Sequence, residues 1–333
     1  MDDRVFQLSQ PIILLSRQDL AALMPFAAYV DAVADAFRLH AQGRTLLPNP
    51  MHVVTEAGGF HVKAGGLPSG PGYVAFKANA NFPNNRVVNG LPTIQGAILL
   101  FNSTTGSPVA LLDSIEITIK RTGAATAVAA RYLARPESRV ATIVGCGEQG
   151  RIQLEALRHA LDLKRVFLFD RDRQAAAALA AEIEGIEIEV ASSLREATLA
   201  SDVIVTCTPA KEPFLGFDHV RPGTFIAAIG ADNPDKSEIA PALMARARVI
   251  TDVTAQALHM GDLHHAIRAG AMTEAEVHAE IGEIIDARKS GRANGQEITI
   301  FDGTGVGIQD VAAAVRAYEL ARERGAGTRV DLG

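Results

Sequence analysis

Six residues constrain this chain more than any others: Gly145-Cys146-Gly147-Glu148-Gln149-Gly150, which follow the apolar run Val140–Val144 without a break. An apolar run followed by glycines at the first, third and sixth positions predicts a buried strand that turns sharply into a helix. The first glycine permits the tight turn. The second lets the backbone approach a pyrophosphate, and the third lets the helix pack closely on the strand. The helix start then offers N–H groups and a partial positive charge to phosphates. Asp170 lies twenty residues past Gly150, at the end of a second apolar run, where a carboxylate accepts hydrogen bonds from ribose hydroxyls. The glycine spacing alone is weak. With the strand before it, the helix after it and the acid at this distance, it predicts a dinucleotide site that includes Gly145, Gly147, Glu148, Gln149, Gly150 and Asp170. Asp170 favours NAD, because its charge repels a 2′-phosphate. Arg171, included in the same set, and Arg173 can each pair with such a phosphate, which leaves NADP open.

The surrounding pattern agrees. Helical spacing over 118–134, 149–160 and 173–183 alternates with short Val-, Ile- and Phe-rich runs at 140–144, 165–170, 203–207, 225–229 and 249–252. Such runs, separated by helices, predict parallel strands covered on both faces, an α/β fold of the Rossmann type. Thr206, Thr208 and Gly230 fall at carboxyl ends of these strands, where open α/β sheets hold ligands, and join the cofactor set. Val306 and Gly307, from the glycine-rich loop 303–307, complete it. The region before 118 reads differently. After a helix over 24–42, short strands such as 73–76 and 97–101 are separated by the turn signals Asn84-Asn85, Asn89-Gly90 and Thr105-Gly106. A strand at 299–301 and an amphipathic helix over 310–324 close the chain.

Composition removes whole classes of function. The net charge of -6 offers no concentrated basic patch for nucleic acid. No run of about 18 apolar residues predicts a membrane span, and Met1-Asp2-Asp3-Arg4 lacks the basic start and apolar run of a secretory signal. Cys146 and Cys207 both sit in apolar stretches and read as buried thiols of a reducing, cytoplasmic setting. His264-His265 has no third ligand at suitable spacing, so no metal site is expected, and no Gly-x-Ser-x-Gly elbow is present.

An ordered set of further motifs carries a resemblance. Lys77 is followed by Asn79-Ala80-Asn81-Phe82-Pro83, then Gly90-Leu91-Pro92-Thr93, Thr105-Gly106 and Thr118-Ile119-Lys120-Arg121-Thr122-Gly123-Ala124. After the glycine loop come Gly230-Ala231-Asp232-Asn233-Pro234-Asp235-Lys236-Ser237-Glu238, Gly261-Asp262-Leu263 and the segment 305–310. Over roughly residues 12–325 the chain resembles the ornithine cyclodeaminase/μ-crystallin family. The resemblance implies a homodimer with a nicotinamide cofactor at an interdomain cleft. It implies an α+β substrate-binding and dimerisation domain, 1–117 completed by the C-terminal helix within 305–333, and a Rossmann domain over 118–304. Family members include ornithine and lysine cyclodeaminases, alanine dehydrogenase and imine reductases, with μ-crystallin-type members also binding thyroid hormone. The expected partner is therefore a small amino or imino acid.

The same resemblance nominates the chemistry. Lys77 matches the family's substrate lysine, whose ammonium would bind a carboxylate or the reacting nitrogen. Arg121 matches the arginine of a Thr-x-x-Arg-Thr motif, and its planar fork suits bidentate capture of a carboxylate or pyrophosphate oxygen. Thr93 matches a threonine that faces the substrate. Asp232, after the fifth Rossmann strand, matches the aspartate of cyclodeaminases and alanine dehydrogenase, where μ-crystallin-type members carry serine. A carboxylate there would take a proton from the substrate amine or activate the water that hydrolyses an imine. Bland readings stand beside these: a solvated lysine for Lys77, a structural salt bridge for Arg121 and a helix cap for Asp232, as simple strand termination does beside the Thr206–Pro209 turn. Lys236 and Glu238 read as supporting residues.

One stretch departs from the family pattern. Where the family has an arginine that anchors the substrate carboxylate, this chain has Pro48-Asn49-Pro50-Met51-His52. A Met-Pro pair common in the family is replaced by His61-Val62-Lys63-Ala64-Gly65. Lys63, on the same strand face as His61, would then bind substrate in place of the missing arginine, which weakens the case for ornithine and admits dicarboxylic imino acids. Hydride transfer at the α-carbon of a small L-amino or imino acid is the leading expectation, by net redox chemistry or redox-neutral cyclisation. A non-catalytic nucleotide- and ligand-binding protein and a cyclic-amino-acid dehydratase remain as alternatives.

Overall fold

A computed structural model describes residues 11–68 and 72–332; the amino-terminal four residues read above lie outside the described residues. The chain forms two compact units. One comprises Met1–Ala32, Gly43–Thr118 and Gly307–Gly333, the other Val33–Gln42 and Ile119–Val306.

The first unit opens with β1 (Ile12–Leu15) and α1 (Arg17–Leu23), and α2 (Phe26–Ala41) begins in it. Ser16 caps α1 by a reciprocal pair with Asp19, whose carboxylate accepts the Ser16 N–H at 2.8 Å. Then come β2 (Met51–Val54), β3 (Gly59–Leu67), β4 (Tyr73–Asn81), α3 (Asn85–Asn89), β5 (Ile94–Asn102), β6 (Pro108–Asp113) and the start of α4 (Ser114–Leu133). The two asparagine pairs expected as turns instead bracket α3, which Gly90 ends in the left-handed region at φ 65°. Alternation governs β4: Tyr73, Ala75 and Lys77 are buried, while Phe76 on the other face is 46% exposed.

The second unit carries the Rossmann pattern. Its strands are β7 (Val140–Val144), β8 (Arg165–Phe169), β9 (Glu187–Val190), β10 (Val203–Thr206), β11 (Phe225–Ala228), β12 (Arg248–Thr251), β13 (Ala279–Glu280) and β14 (Thr299–Asp302). The helices between them are α5 (Glu148–Ala160), α6 (Arg173–Ala181), α7 (Leu194–Ala200), α8 (Pro241–Met244), α9 (Thr254–Ala257), α10 (Gly261–Arg268) and α11 (Ile281–Ile285). All pairings in this eight-stranded sheet are parallel, in the order β13-β12-β14-β11-β10-β7-β8-β9. Every residue of β10, β11 and β14 is buried, the condition their continuous apolar runs predict. The strand order reverses between β7 and β10, the switch point at which such sheets hold ligands. β9 escapes sequence reading because its Glu187-Ile188-Glu189-Val190 pattern is that of a half-exposed edge.

The sequence reading kept 33–42 with the first domain, whereas its contacts lie in the second unit. Gln42 Nε2 donates to Asp286 at 2.8 Å, Arg288 donates to the Ala41 carbonyl at 2.6 Å, and the Phe37 carbonyl lies against Gly282.

Two last elements return to the first unit: α12 (Gly307–Arg324) and β15 (Thr328–Val330). They complete a seven-stranded sheet of order β15-β1-β6-β5-β4-β3-β2, with β1 parallel to β6 and the other pairs antiparallel. α12 starts in direct backbone contact with β3: a Cβ on Gly307 would lie 2.1 Å from the Ala64 carbonyl oxygen, and one on Gly65 2.8 Å from the Gly307 carbonyl. Further along, Tyr318 meets Tyr73 edge to face at 5.8 Å. Gly307→Ala is expected to destabilise the protein by about 1–3 kcal/mol, because neither backbone can yield without moving the helix start. Gly295→Ala, where an added Cβ meets nothing within 4 Å, is expected to be nearly neutral. Thermal unfolding of the two variants checks the contrast.

Candidate active site

In the second unit the glycine loop follows the logic of its spacing. Gly145 has φ 100°, a conformation that L side chains rarely adopt, and a Cβ there would sit 2.8 Å from the Cys207 carbonyl. A Cβ on Gly150 would lie 2.1 Å from the Gly145 carbonyl, so α5 can begin against the turn only as glycine. Gly147 is different: nothing lies within 4 Å of its Cβ position, and it is exposed. It is also the N-cap of α5 and contributes no capping side chain. A helix start without a side-chain cap, bordered by open space on one side, is a cradle for an anionic oxygen group. The residues therefore fit a dinucleotide pyrophosphate.

Asp170, just past β8, ties this loop down. One carboxylate oxygen accepts the Cys146 N–H at 2.7 Å and the other the Asp172 N–H at 2.9 Å. Each carboxylate oxygen has two lone pairs, which leaves acceptor capacity for vicinal hydroxyls. Arg171 is exposed beside it. Cys146 is buried, with its thiol pushed up to about 12, first by burial and then by the Asp170 charge; burial also raises Cys207 well above the ordinary thiol range. Neither is a nucleophile at neutral pH.

The loop from Gly230 to Glu238, after β11, carries Asp232. Its side chain is 55% exposed and lies 2.8 Å from Lys236 Nζ. Beneath it, Glu238 is fully buried and accepts three hydrogen bonds: from the Thr208 N–H and hydroxyl at 2.7 Å each, and from the Gly230 N–H at 2.9 Å. One side chain thus joins the loops after β10 and β11. Asp262, at the start of α10, accepts the Glu238 and Ile239 N–H groups at 2.8 and 2.9 Å, and the Ser237 hydroxyl at 3.1 Å. Asp302, ending β14, accepts the Leu263 N–H at 2.8 Å. Asp252 accepts the Thr304 hydroxyl at 2.9 Å and the Gly305 N–H at 2.7 Å. The last contact fixes Gly305 beside Arg121, a buried residue of α4 whose Nη1 would lie 2.7 Å from a Cβ at that glycine. Burial, reinforced by the Asp262 charge, raises Glu238 to about 7; burial raises Asp262 to about 6 and Asp302 well above the carboxylate range.

In the first unit, Lys77 is buried on β4 and its Nζ lies 2.7 Å from Asp310 Oδ2, with the Thr118 hydroxyl at 3.4 Å. Lys63 stands directly opposite Lys77 on β3, and His61 stands between His52 on β2 and Asn79 on β4. The His52 and His61 rings meet edge to face at 4.6 Å. Thr93 lies just before β5, half-buried, its carbonyl accepting the Phe82 N–H at 2.9 Å.

Three residues of the expected cofactor set, Thr206, Val306 and Gly307, are buried. Thr206 has no exposed surface inside β10, so at that strand end only Thr208 lies beyond the sheet. Val306 is likewise fully buried, and Gly307 is a glycine because it touches Ala64, which packing explains without a ligand. Sequence reasoning missed Asp310, Asp252 and Asp302. Their signal was present only as acids adjoining apolar runs, and Asp310 falls within a motif segment already noted. His264 and His265 serve the backbone, contacting the Leu258 and Lys236 carbonyls at 3.0 and 2.9 Å.

Residues 12–325 match the model of the ornithine cyclodeaminase/mu-crystallin family. Among solved structures, an archaeal alanine dehydrogenase dimer with bound NAD is similar at 36% identity and TM-score 0.92, covering 97% of this chain and 99% of its own. The Δ1-pyrroline-2-carboxylate reductase of Thermococcus litoralis, in complex with NADH and L-proline, is 34% identical with TM-score 0.91, covering 96% and 100%. The iminosuccinate reductase of Paracoccus denitrificans, in complex with NAD+, is 32% identical with TM-score 0.90, covering 97% and 100%.

The raised proton affinity of Glu238 has a testable sign. A carboxyl whose folded value is raised from 4.5 to about 7 contributes stability that is fully present below pH 4.5 and is lost as pH rises through 7. Glu238→Gln mimics the protonated form and cannot titrate. The thermal midpoint of the wild type minus that of Glu238→Gln should therefore fall as the pH is raised through this window. A constant difference would show that Glu238 titrates normally.

Proposed function

The chain belongs to the ornithine cyclodeaminase/mu-crystallin family, and on that premise we propose that it is an NAD(H)-dependent enzyme interconverting a 2-imino acid and an L-amino acid. The observation that carries this reading is in the second unit. At the carboxyl end of one parallel sheet stand a glycine loop with an open cradle at Gly147 and a half-exposed carboxylate, Asp232, on a clamped loop.

Gly147 and the start of α5 would hold the pyrophosphate and Asp170 the adenosine ribose, the Asp170 charge favouring NAD over NADP. Bound there, NAD(H) would supply hydride chemistry at the substrate α-carbon. Asp232 moves the proton: it supplies one to the nitrogen during reduction, and in the reverse direction takes one from the amine or from the attacking water. Lys77 and Arg121 bind the carboxylate or the reacting nitrogen. Thr93 orients the substrate. Lys63, with His61 on the same face of β3, supplies a second cation in place of the family arginine, which favours an imino acid with a second carboxylate. The apolar outer face of the first unit, with Phe60, Phe76 and Val53 exposed, supports a homodimer.

The test is turnover. Purified protein with NADH is given 2-oxo acids plus ammonium, mono- and dicarboxylic, and a cyclic imino acid, and NADH absorbance is followed. NADH consumption that is lost by at least about a hundredfold in Asp232→Asn is expected, a typical worth for a positioned acid–base group. Lys63→Ala should raise KM for dicarboxylic substrates more than for monocarboxylic ones. Ammonia released from ornithine or lysine without net NADH change would replace this reading with cyclisation. Bound NADH with no turnover on any substrate would replace it with a binding protein.

A further inference from the structure

The buried partner of Lys77 carries an inference beyond the roles assigned above, and it rests on the reading of Lys77 as substrate-facing. Four elements besides its own strand meet this ammonium. β4 carries it, β3 presents Lys63 directly opposite with His61 further along the strand, and β5 presents the fully buried Ile98 in register. From α4 comes the Thr118 hydroxyl at 3.4 Å, and from α12 the Asp310 carboxylate at 2.7 Å, the Lys77 and Asp310 side chains being 4% and 3% exposed. Burial and a like charge across the strand pair both push an ammonium to give up its proton. Asp310 opposes both. It sits in the first turn of α12, where the helix dipole favours a carboxylate, and that turn is held by the Gly307 contact with Ala64.

Folding alone does not call for this pair. Two buried charges lose their hydration, and an apolar pair of similar volume is often as stable or more so. What an apolar pair does not provide is a protonated amine in a largely water-excluded place. We propose that Asp310 is a positioning residue that keeps Lys77 protonated and aimed for substrate, so that its loss costs substrate recognition more than it costs the fold.

Two measurements on the intact protein test this. The first labels lysine at Cε with carbon-13 and follows the Lys77 signal, assigned by its absence in Lys77→Met, through a pH titration. In Asp310→Asn the Lys77 midpoint should move down by about 1–3 units, and Asp310→Glu should recover much of the shift. An unchanged midpoint in Asp310→Asn overturns the proposal whatever the activity. The second records kcat/KM for imine reduction against pH: the basic limb should move down in Asp310→Asn, with KM rising more than kcat falls. Thermal unfolding of Lys77→Met/Asp310→Asn should recover stability lost in Asp310→Asn without recovering activity. Recovery of activity along with stability would reduce Asp310 to a packing residue and overturn the proposal. A wild type that turns over no imine, with the midpoint shift present, would remove the proposed function and leave the pairing intact.

Discussion

Buried carboxylates gripping backbone N–H groups are the interaction on which the second unit depends. A parallel sheet ends in loops whose N–H groups have no ladder partner, and in a buried setting each must be satisfied. Glu238, Asp262, Asp302 and Asp252 satisfy them at the ends of β10, β11, β14 and β12. Each joins two segments, so the loops form one connected rim. Asp302 holds the start of α10, whose Asp262 holds the strand-like turn at Glu238, whose side chain holds Thr208 and Gly230. The desolvation that raises the proton affinities of Glu238, Asp262 and Asp302 is the energetic cost of this arrangement.

The first unit solves a different problem. A helix must lie close enough to a sheet for a carboxylate in its first turn to meet an ammonium on a strand. Side chains on both surfaces would hold the backbones about 10 Å apart, as ordinary packed layers are. Gly65 and Gly307 remove that spacing at one point, and Asp310 lies one turn further along.

Most of the second unit was legible because its strands are buried at every position, leaving continuous apolar runs bounded by turn residues. β7 falls on its expected residues, and β10 and β11 lie within one residue of theirs. The half-exposed β9 and the two-residue β13 have no such run. The three glycines of the loop were legible in kind, and the structure adds that Gly147 faces open space while the others are pinned. Of the rim acids, Glu238 was read as a supporting residue and Asp262 only as part of a motif, while Asp252 and Asp302 were not legible, since a buried aspartate and a solvated one look alike until the backbone that surrounds them is known. Lys77 was found without its partner for a related reason. Asp310 is far away in sequence, and only the return of α12 to the sheet brings the pair together.

That return sets an order of assembly. During synthesis the strands β2 to β6 leave the ribosome early, and the second unit, apart from its short 33–42 segment, follows as one continuous stretch. Amino-terminal units generally fold first as chains emerge. Here the first sheet lacks β15 and its covering helix until α12 and β15 emerge, the helix carrying Asp310 roughly 230 positions after Lys77. The nascent chain therefore carries a lysine awaiting its countercharge and a sheet edge awaiting its last strand, while the nucleotide half can already close. Emergence of α12 and β15, rather than completion of the early strands, is the event that completes the first unit.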